Sequence, residues 1–569
     1  MNAQSRTPLG MWFALAASVA CCLAVALGAY VLAGYSWNQV AHYTSPFVTV
    51  PAPPSLSSVE PTPSPAVVRR VVLVIVDGLR EDVSRSSMPT LNTLRSYGSD
   101  VSLTVPQPSL SYPNWTTILS GASPTISGVT TNGFMGREPA PTLIDVARAA
   151  GDKVIVVGPT DFQSLFGIKP GPDVSLRPWP TSGYLTPKLV DDALRLSRES
   201  SSGLVVVHFP DLDEAGHQTG GASAHYREVA SHIDADIGRL VAGLQGEGTV
   251  FIITADHGHT DSGGHGGWEP EALHVPGVLV GSSIGLSKGT GDLQQIAPTV
   301  SVLLGLNDPA FAEGEALRSV IDTGDGGIFG ADTAHHIAFD AHYIGVVTGV
   351  EPDAAELLGD GGPDAAVQQA KDRRLAGERI GRATIGLAVC LAVLIVVAAI
   401  AVTSWRALAS ALAGCGAYYA VYETLFFIVH RYRWSLSVIN SDALLKTFMT
   451  WRMGEAVLAS LVGVAVAAAV YPMLRRAPKG PQMAEYLPGY LTLGPATLLV
   501  VLGSLALQVA WYLWWWGAAV VWTLPDLRMG FKYDLDLVQM TAVGAAVVLA
   551  PLVAYLIGRY HPKVRTRDG

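Results

Sequence analysis

Clusters of Asp and His follow three short apolar segments of this chain, and residues of these types at these spacings could bind metal ions. The clusters contain Asp77; Asp213 and His217; and Asp256, His257 and, a little later, His265. Carboxylate and imidazole ligands without a thiolate are typical of zinc or manganese sites. A single aspartate after a strand usually caps the next helix, but three clusters after three strands are poorly explained as caps. The pattern therefore predicts a metal centre.

The segment 109–121 contains a candidate nucleophile. Ser111 precedes an apolar stretch that is predicted to be helical. The dipole at a helix N-terminus favours an anion such as a phosphate, and a bound metal can ionise a nearby hydroxyl. A serine in this position is most often only an N-cap. Because the same chain contains the Asp and His clusters, we favour Ser111 as a nucleophile.

The segments before the clusters predict the elements that position them. Continuous β-branched and apolar runs are typical of strands buried on both faces, and here they span 71–76, 154–157, 204–207 and 250–254. Helical patterns lie between them, at 141–150, 187–199 and 224–244. We predict an α/β domain with a mainly parallel sheet covered by helices on both faces. The ligand crevice of such a fold lies at the carboxyl ends of the strands.

The composition places much of the chain in a lipid bilayer. Of its 569 residues, 49% are hydrophobic and only 15% are charged, and the mean hydropathy is +0.33; charged residues make up about a quarter of an ordinary soluble protein. The net charge of −10 gives no sign of a basic patch, so no nucleic-acid partner is expected. All four cysteines lie in strongly apolar segments, so a metal site elsewhere must use His and carboxylates.

Apolar segments and basic residues predict a membrane topology. The uninterrupted run at 11–34 is long enough to be an uncleaved anchor, and five further spans follow it. Lys and Arg in the loop 475–479 and in the C-terminal tail favour the cytoplasm for both termini. The predicted order is a cytoplasmic tail (1–10), a transmembrane signal anchor (11–34), an extended Pro- and Ser-rich linker (35–67), an extracytoplasmic catalytic domain (68–382), an α-helical bundle of five transmembrane helices (383–558) and a second cytoplasmic tail (559–569).

Two predicted outside loops and one buried acid leave alternatives open. Residues 430–452 are rich in basic side chains, and residues 511–536 are rich in tryptophan. Helices at the bilayer interface are one interpretation of these loops, and a platform for a lipid substrate is the other. Glu423 lies inside a predicted span, where an ionisable side chain is either paired within the bundle or functional.

The motifs resemble those of the alkaline phosphatase superfamily, most closely its type I phosphodiesterase/nucleotide pyrophosphatase branch. The resemblance covers roughly residues 71–281 and is carried by Asp77-Gly78-Leu79-Arg80, Ser111-Tyr112-Pro113-Asn114, Asp213-Glu214-Ala215-Gly216-His217, Asp256-His257-Gly258 and His265-Gly266. It implies one metal held by Asp77, Ser111, Asp256 and His257. It implies a second metal held by Asp213, His217 and His265. It also implies that Asn132 donates to the phosphoryl oxygens.

The sequence departs from the pattern of that branch at a few positions. The nucleophile is Ser111 where the pyrophosphatases usually have Thr, and His259 stands where they often have Met, near the site without an obvious ligand role. Two alternatives stay open for the second metal. His274 is a rival to His265, and Asp211 is a rival to Asp213, although only Asp213 has the four-residue spacing to His217.

The layout of an N-terminal anchor, an exported domain and a multi-span C-terminal bundle resembles that of the GPI ethanolamine-phosphate transferases. It implies transfer of a phosphoethanolamine-type substituent from a membrane phospholipid to a lipid-linked or glycan acceptor, through a phosphoserine-type intermediate. The implied cofactors are two divalent metal ions, zinc first and manganese as the alternative. Hydrolysis of lipid or nucleotide phosphodiesters is the second hypothesis, and a non-catalytic assembly or transport protein is the third. The sequence indicates no oligomeric state.

Overall fold

The computed structural model describes residues 8–49, 64–179, 183–324, 326–350, 352, 357, 362–441, 444–474 and 483–560. The predicted C-terminal tail lies almost wholly outside these residues, and so do residues 50–63 of the predicted linker.

One eight-stranded sheet organises the predicted catalytic domain. Its strands are β1 (Arg70–Val76), β2 (Ser99–Thr104), β3 (Val154–Pro159), β4 (Val174–Arg177), β5 (Gly203–Phe209), β6 (Thr249–Thr254), β7 (His274–Gly281) and β8 (Lys288–Asp292). Their order in the sheet is β4-β3-β5-β1-β6-β7-β2-β8. β7 runs antiparallel to β6 and β2, and the other pairings are parallel. The predicted fold class, a mainly parallel sheet with helices, is confirmed.

The four predicted strands are the central ones, and the strands that were missed lie mostly toward the edges. Every residue of β1, β5 and β6 is buried, as expected of continuous apolar runs covered on both faces. β2 alternates polar and apolar residues, and β8 is almost wholly exposed and glycine-rich. β7 contains Pro276 and Gly277, which disfavour a strand in sequence-based reasoning.

Helices connect and cover the strands. They are α1 (Pro8–Ala41), α2 (Pro46–Thr49), α3 (Glu81–Ser86), α4 (Pro89–Arg95), α5 (Ser111–Ser120), α6 (Pro124–Ser127), α7 (Leu143–Ala149), α8 (Asp161–Phe166), α9 (Thr186–Leu196), α10 (Asp211–Thr219), α11 (Ala224–Leu244), α12 (Pro270–Leu273), α13 (Ile296–Leu304), α14 (Gly330–Thr348), α15 (Gly362–Thr403), α16 (Trp405–Glu423), α17 (Leu445–Leu474), α18 (Met483–Trp516), α19 (Leu527–Ala545) and α20 (Ala550–Tyr560). The predicted helix at 224–244 coincides with α11, and those at 141–150 and 187–199 correspond to α7 and α9.

The N-terminal helix continues beyond the predicted anchor and docks on the sheet domain. α1 extends to Ala41 because the first proline after residue 8 is Pro46. The Thr130 hydroxyl donates to the carbonyl of Val40, and Phe47 is fully buried. The prediction of an extended spacer is therefore wrong for the residues up to 49, which hold the domain against the end of α1 instead of lifting it away.

The C-terminal region is helical and apolar. Within the described residues, five helical segments are long and apolar enough to cross a membrane: one is in α1 and four are in the C-terminal region. A sixth results if Leu527–Val548 and Ala550–Tyr560, which are bent by 59°, count as one span. α15 begins about twenty residues before the predicted boundary at 383, because its polar first half is also helical.

The two loops with open interpretations contact protein. Residues 430–441 contain only one short 3-10 turn, Leu436–Val438, and they pack against residues 263–268 of the sheet domain. In the other loop, Trp522 is buried and donates to Glu378 of α15. Residues 430–441 and Trp522 are therefore not in α-helices, and their position at a bilayer interface stays a prediction. Glu423 is the last residue of α16 and precedes a π-helical segment, Thr424–Val429.

Candidate metal centre

The first half of the site lies at the carboxyl ends of the two central strands. Asp77 follows β1, and Asp256 and His257 follow β6 after one alanine. Because β1 and β6 are parallel neighbours, these ends meet. Asp77, Asp256 and His257 offer ligand atoms that lie within 4.8 Å of one another, and all three are fully buried. We call these three residues the inner group.

Backbone amides orient the carboxylate of Asp256. Its Oδ1 accepts hydrogen bonds from the N–H groups of Gly78 (3.1 Å) and His257 (3.0 Å). Its Oδ2 lies 3.5 Å from His257 Nε2 and has no hydrogen-bond partner among the described residues. Asp77 Oδ1 lies 3.4 Å from the same nitrogen. Three potential ligand atoms thus face one small space.

The electrostatics of the inner group favour the binding of a cation. Burial raises the pKa of Asp77 well above its usual value, and the charge of Asp256 raises it further. Burial also raises the pKa of Asp256. Two buried carboxylates are costly as anions unless an opposite charge compensates them. The donor set and the unpartnered carboxylate oxygens both fit a divalent metal ion.

The predicted nucleophile faces the inner group. Ser111 is the first residue of α5 and is 7% exposed, and its Oγ lies 3.2 Å from His257 Nε2. Trp115, one turn further along α5, is fully buried and packs edge-on against His208 at 4.7 Å between ring centroids. The helix therefore holds the hydroxyl at a fixed position beside the carboxylates.

The second half of the site combines a helix with a glycine-rich loop. Asp213 and His217 are one turn apart on α10, and His217 Nε2 lies 3.3 Å from Asp213 Oδ2. His265 reaches the same place from the loop after β6, with its Nε2 3.2 Å from His217 Nε2. His259 Nε2 lies 2.8 Å from Asp213 Oδ1. We call Asp213, His217, His259 and His265 the outer group.

Hydrogen bonds fix which imidazole nitrogen is free in each group. His257 Nδ1 faces the carbonyl of Gly258 at 3.2 Å, and His265 Nδ1 faces the carbonyl of Ser109 at 2.9 Å. A carbonyl only accepts, so Nδ1 carries the proton in both rings. Each Nε2 then directs a lone pair into the cluster, as second-shell partners of metal-binding histidines commonly arrange.

The electrostatics of the outer group separate His217 from the other two imidazoles. Burial alone would raise the pKa of Asp213, but the neighbouring His217 and His259 lower it well below its usual value. Burial lowers the pKa of His259 to about 4 and that of His265 well below its usual value. Although burial opposes it, Asp213 raises the pKa of His217 to about 9. Metal binding requires an ionised Asp213 and neutral imidazoles, so His259 and His265 are already in the required state, whereas His217 must lose the proton that Asp213 favours.

Two buried histidines join the site without having been assigned a role from the sequence. His259 is fully buried, and a side chain on Gly216 or Gly78 would meet its ring at 2.5 Å or 3.0 Å, so both motif glycines leave room for it. His208 lies in β5 with its Nε2 3.1 Å from Asp77 Oδ2. An imidazole inside the apolar run of β5 was the available signal for His208.

The rivals considered for the second metal lie elsewhere or have other roles. Asp211 accepts hydrogen bonds from the backbone N–H groups of Leu185 and Thr186, at 2.7 to 2.9 Å, and so caps the start of α9. His274 is exposed at the first residue of β7. The structure brings Asp213 and His265 into the cluster instead of these two.

Asn132 lies beside the start of α5. Its Oδ1 accepts the N–H of Tyr112 at 3.0 Å, which ties the turn at 130–133 to the residue after the predicted nucleophile. Because the carbonyl oxygen is used in this way, the Nδ2 amide is the group that could donate to a phosphoryl oxygen at Ser111.

The fold and the cluster together define a class of protein. Residues 71–150 match the family model described as type I phosphodiesterase/nucleotide pyrophosphatase, and residues 184–308 match that of the metalloenzyme superfamily. The matched segments contain every member of the inner and outer groups. The predicted resemblance is confirmed: these two segments are similar to the metalloenzyme superfamily and to the type I phosphodiesterases/nucleotide pyrophosphatases.

Particular relatives are similar over parts of the chain. The 2,3-bisphosphoglycerate-independent phosphoglycerate mutase of Roseobacter denitrificans is 34% identical over 145 residues, which are 24% of this chain and 27% of that protein. The catalytic subunit of GPI ethanolamine phosphate transferase 2 of Homo sapiens is 23% identical over 338 residues, 53% of this chain and 34% of that protein. The chain thus spans about a quarter to a third of the length of these relatives.

Solved structures that align with part of the chain include alkaline phosphatase PafA and murine ectonucleotide pyrophosphatase/phosphodiesterase 5. PafA aligns with a TM-score of 0.39 and 12% identity, covering 45% of this chain and 99% of PafA. The murine protein, an inactive variant in complex with AMP, aligns with a TM-score of 0.37 and 13% identity, covering 45% of this chain and 97% of its own.

Proposed function

We propose that this protein is a membrane enzyme that transfers a phosphoethanolamine-type substituent from a phospholipid to a lipid or glycan acceptor. The catalytic domain is proposed to lie outside the cytoplasm, with both chain termini inside. The proposal combines the apolar helices, the metal-type cluster and the partial similarity to a GPI ethanolamine phosphate transferase.

A cavity lined by Leu110, the residue before Ser111, and by His265 of the outer group is the observation that supports a lipid substrate. It has a volume of about 340 Å³, and its sheet-domain wall includes Leu110, Thr131 and His265. The opposite wall comes from helices and loops of the membrane region and includes Trp37, Leu436 and Leu527. A soluble phosphodiester has no need of this apolar wall, whereas the glycerol and first acyl carbons of a phospholipid would be buried against it.

The chain's own residues account for the chemistry. The Ser111 oxygen would attack the phosphorus, forming an Oγ–P bond while the P–O bond to diacylglycerol breaks. The serine proton goes to solvent, and the leaving glycerol oxygen takes one up. Asn132 would hold a phosphoryl oxygen through its amide nitrogen. Divalent ions held by the inner and outer groups, zinc or manganese by their donor set, would supply Lewis-acid activation and neutralise phosphoryl charge.

The resulting phosphoserine would then be resolved by an acceptor hydroxyl. The new P–O bond forms to the acceptor, the Oγ–P bond breaks, and Ser111 regains its proton. Water in place of the acceptor would give hydrolysis, so the same residues serve the second hypothesis. Transfer or hydrolysis results according to whether the acceptor hydroxyl or water reaches the phosphoserine.

The test uses full-length protein in nanodiscs that contain phosphatidylethanolamine labelled in the head group. We expect EDTA-sensitive release of diacylglycerol, with the label retained on Ser111 or passed to an added glycolipid acceptor. Label released as free phosphoethanolamine in the presence of acceptor would establish hydrolysis instead. Cleavage of bis-p-nitrophenyl phosphate without any diacylglycerol would contradict a lipid donor.

A pair of variants tests the cavity itself. Leu527→Trp fills the cavity, so we expect it to slow turnover of the lipid while bis-p-nitrophenyl phosphate is still cleaved. Leu549→Trp places the same bulk at a residue that is 46% exposed on the bundle, outside the cavity lining, and serves as the control. Equal effects of the two substitutions on lipid turnover would remove the support that the cavity gives to a lipid substrate.

A further inference from the structure

A loop of the membrane region reaches the outer group of the metal centre. Residues 430–441, which we call the docking loop, lie between α16 and α17. Asn440 of this loop makes two contacts with His217. Its Nδ2 donates to the backbone carbonyl of His217 at 2.6 Å, and its Oδ1 lies 3.3 Å from His217 Nδ1. The side chain of His217 is 25% exposed, the largest exposure among the residues of the two groups.

These two contacts decide the tautomer of His217. The carbonyl of His217 can only accept, so the group that Asn440 presents to it must be the NH₂. Oδ1 of Asn440 then faces Nδ1 of His217 and accepts a hydrogen bond from its N–H. In the neutral imidazole, Nε2 of His217 is then the nitrogen with the free lone pair, and it faces Asp213 and His265 at 3.3 Å and 3.2 Å.

The docking loop makes specific hydrogen bonds with the sheet domain. Glu269 Oε2 accepts hydrogen bonds from the hydroxyls of Ser435 (2.9 Å) and Ser437 (2.7 Å). The Ser437 hydroxyl accepts the N–H of Gly267 at 3.0 Å. A side chain on Gly264, whose φ is +81°, would meet the Ser437 carbonyl at 2.2 Å. The glycines around His265 therefore also permit the close approach of this loop.

We infer that Asn440 is a positioning residue for His217, and that through it the membrane region completes the metal centre. The inference rests on the metal-binding part of the proposed function and does not depend on the substrate. His217 has its ring oriented by a residue 223 positions later in the chain. Without that contact its ring can turn, and either nitrogen can carry the proton. Second-shell partners of this kind typically contribute 10- to 100-fold to metal affinity.

The experiment measures zinc affinity of the full-length protein in detergent, by competition with a chromophoric chelator at fixed pH. We expect Asn440→Ala to weaken one of two bound equivalents by tenfold or more. Asn440→Asp keeps an acceptor for His217 Nδ1 and loses the donor to the carbonyl, so its affinity should stay within about threefold of the wild type. Ser441→Ala, one residue further along the loop, is the control and should bind zinc like the wild type.

Two results would overturn the inference. One is an Asn440→Ala protein that binds both equivalents as tightly as the wild type does. The other is equal weakening by Asn440→Ala and Asn440→Asp, which would mean that Asn440 only fixes the loop. If Asn440→Ala is not recovered folded, Asn440→Leu has nearly the same volume without polar atoms and gives the same comparison. Because the readout is metal affinity, a failed lipid-transfer assay leaves the result interpretable.

Discussion

The inner and outer groups of the metal centre are built in different ways. The inner group stands on adjacent parallel strands, is fully buried, and has Asp256 oriented by backbone amides. The outer group stands on a helix and a glycine-rich loop, and one of its members is oriented by a side chain from the membrane region. The sheet thus fixes one half of the site, while the other half depends on how two regions dock.

Removing the proposed nucleophile should have the largest effect on turnover and none on either metal group. Ser111→Ala deletes only the hydroxyl that faces His257 at 3.2 Å. We expect turnover of bis-p-nitrophenyl phosphate to be abolished while the metal content, measured by mass spectrometry of the elements, is unchanged. A variant that kept more than a few per cent of the activity would rule out Ser111 as the nucleophile.

A change in the inner group should cost several orders of magnitude in activity without unfolding the protein. Asp256→Asn keeps an oxygen that can accept the two backbone N–H bonds, but it replaces the unpartnered Oδ2 with a neutral NH₂. We expect loss of one metal equivalent and a melting temperature of the metal-free protein close to that of the wild type. Full activity with both metals bound would show that the inner group is structural.

A change in the outer group should have a smaller effect that is confined to one metal. His259→Gln removes the imidazole that lies 2.8 Å from Asp213. This imidazole either orients the Asp213 carboxylate or binds the metal directly. We expect the affinity of one equivalent to fall by about 10- to 100-fold, as for a second-shell partner. Restoration of activity by millimolar zinc would support this assignment. Weakening of both equivalents together would contradict the separation of the two groups.

A change at Asn132 should lower kcat without weakening either metal group, because Asn132 binds no metal in this arrangement. Asn132→Ala removes the amide proposed to hold a phosphoryl oxygen, and loss of one such donor costs about 100- to 1,000-fold in kcat when the donor is fully used. Since Asn132 also anchors the N–H of Tyr112, we expect the lower end of that range. The check is kcat with unchanged metal content, and a change in KM alone would contradict the role.

The smallest effect is expected for Glu138, a buried carboxylate outside the metal centre, and it is an effect on stability. Glu138 is 3% exposed, has one unpartnered oxygen among the described residues, and burial raises its pKa to about 8. Its protonated form is the stable one in the fold, so its contribution to stability is full below the unfolded pKa of about 4.5 and is lost as the pH rises through 8.

Glu138→Gln should therefore stabilise the protein at pH 9 by on the order of 1–3 kcal/mol, and leave it unchanged at pH 4. The free energy of unfolding of the full-length protein is the measurement, taken at both pH values. A larger gain at low pH would reverse the sign and contradict the assignment. Asp77 and Asp256 differ from Glu138 because other potential metal ligands lie around them. Replacing either one with a neutral residue should abolish activity.

The sequence predicted the centre of the fold better than its edges. Strands β1, β3, β5 and β6 were found because buried parallel strands are continuously apolar, whereas β7 and β8 contain proline or glycine and pair through contacts far along the chain. The extent of α1 was missed because the Pro-rich composition after residue 46 was extended backward to residue 35. Its contacts with the sheet domain are tertiary and leave no local pattern.

The same division holds for the site. Asp77, Asp213, His217, Asp256, His257 and His265 were all expected from ordered motifs, since each follows a strand whose end must face the crevice. His208 and Asn440 were not expected, because their importance comes from what lies opposite them in space. Asp211 and His274 could be set aside only after the backbone showed where each one lies.

The sequence alone determined the chemistry available to this protein: carboxylates and imidazoles at strand ends, a serine at the start of a helix, and long apolar helices beside them. Composition and short-range periodicity encode these features directly. Only the tertiary structure decided that four imidazoles converge, that α1 docks on the domain, and that a membrane loop orients His217. Those contacts join residues up to hundreds of positions apart, and packing, not local pattern, selects them.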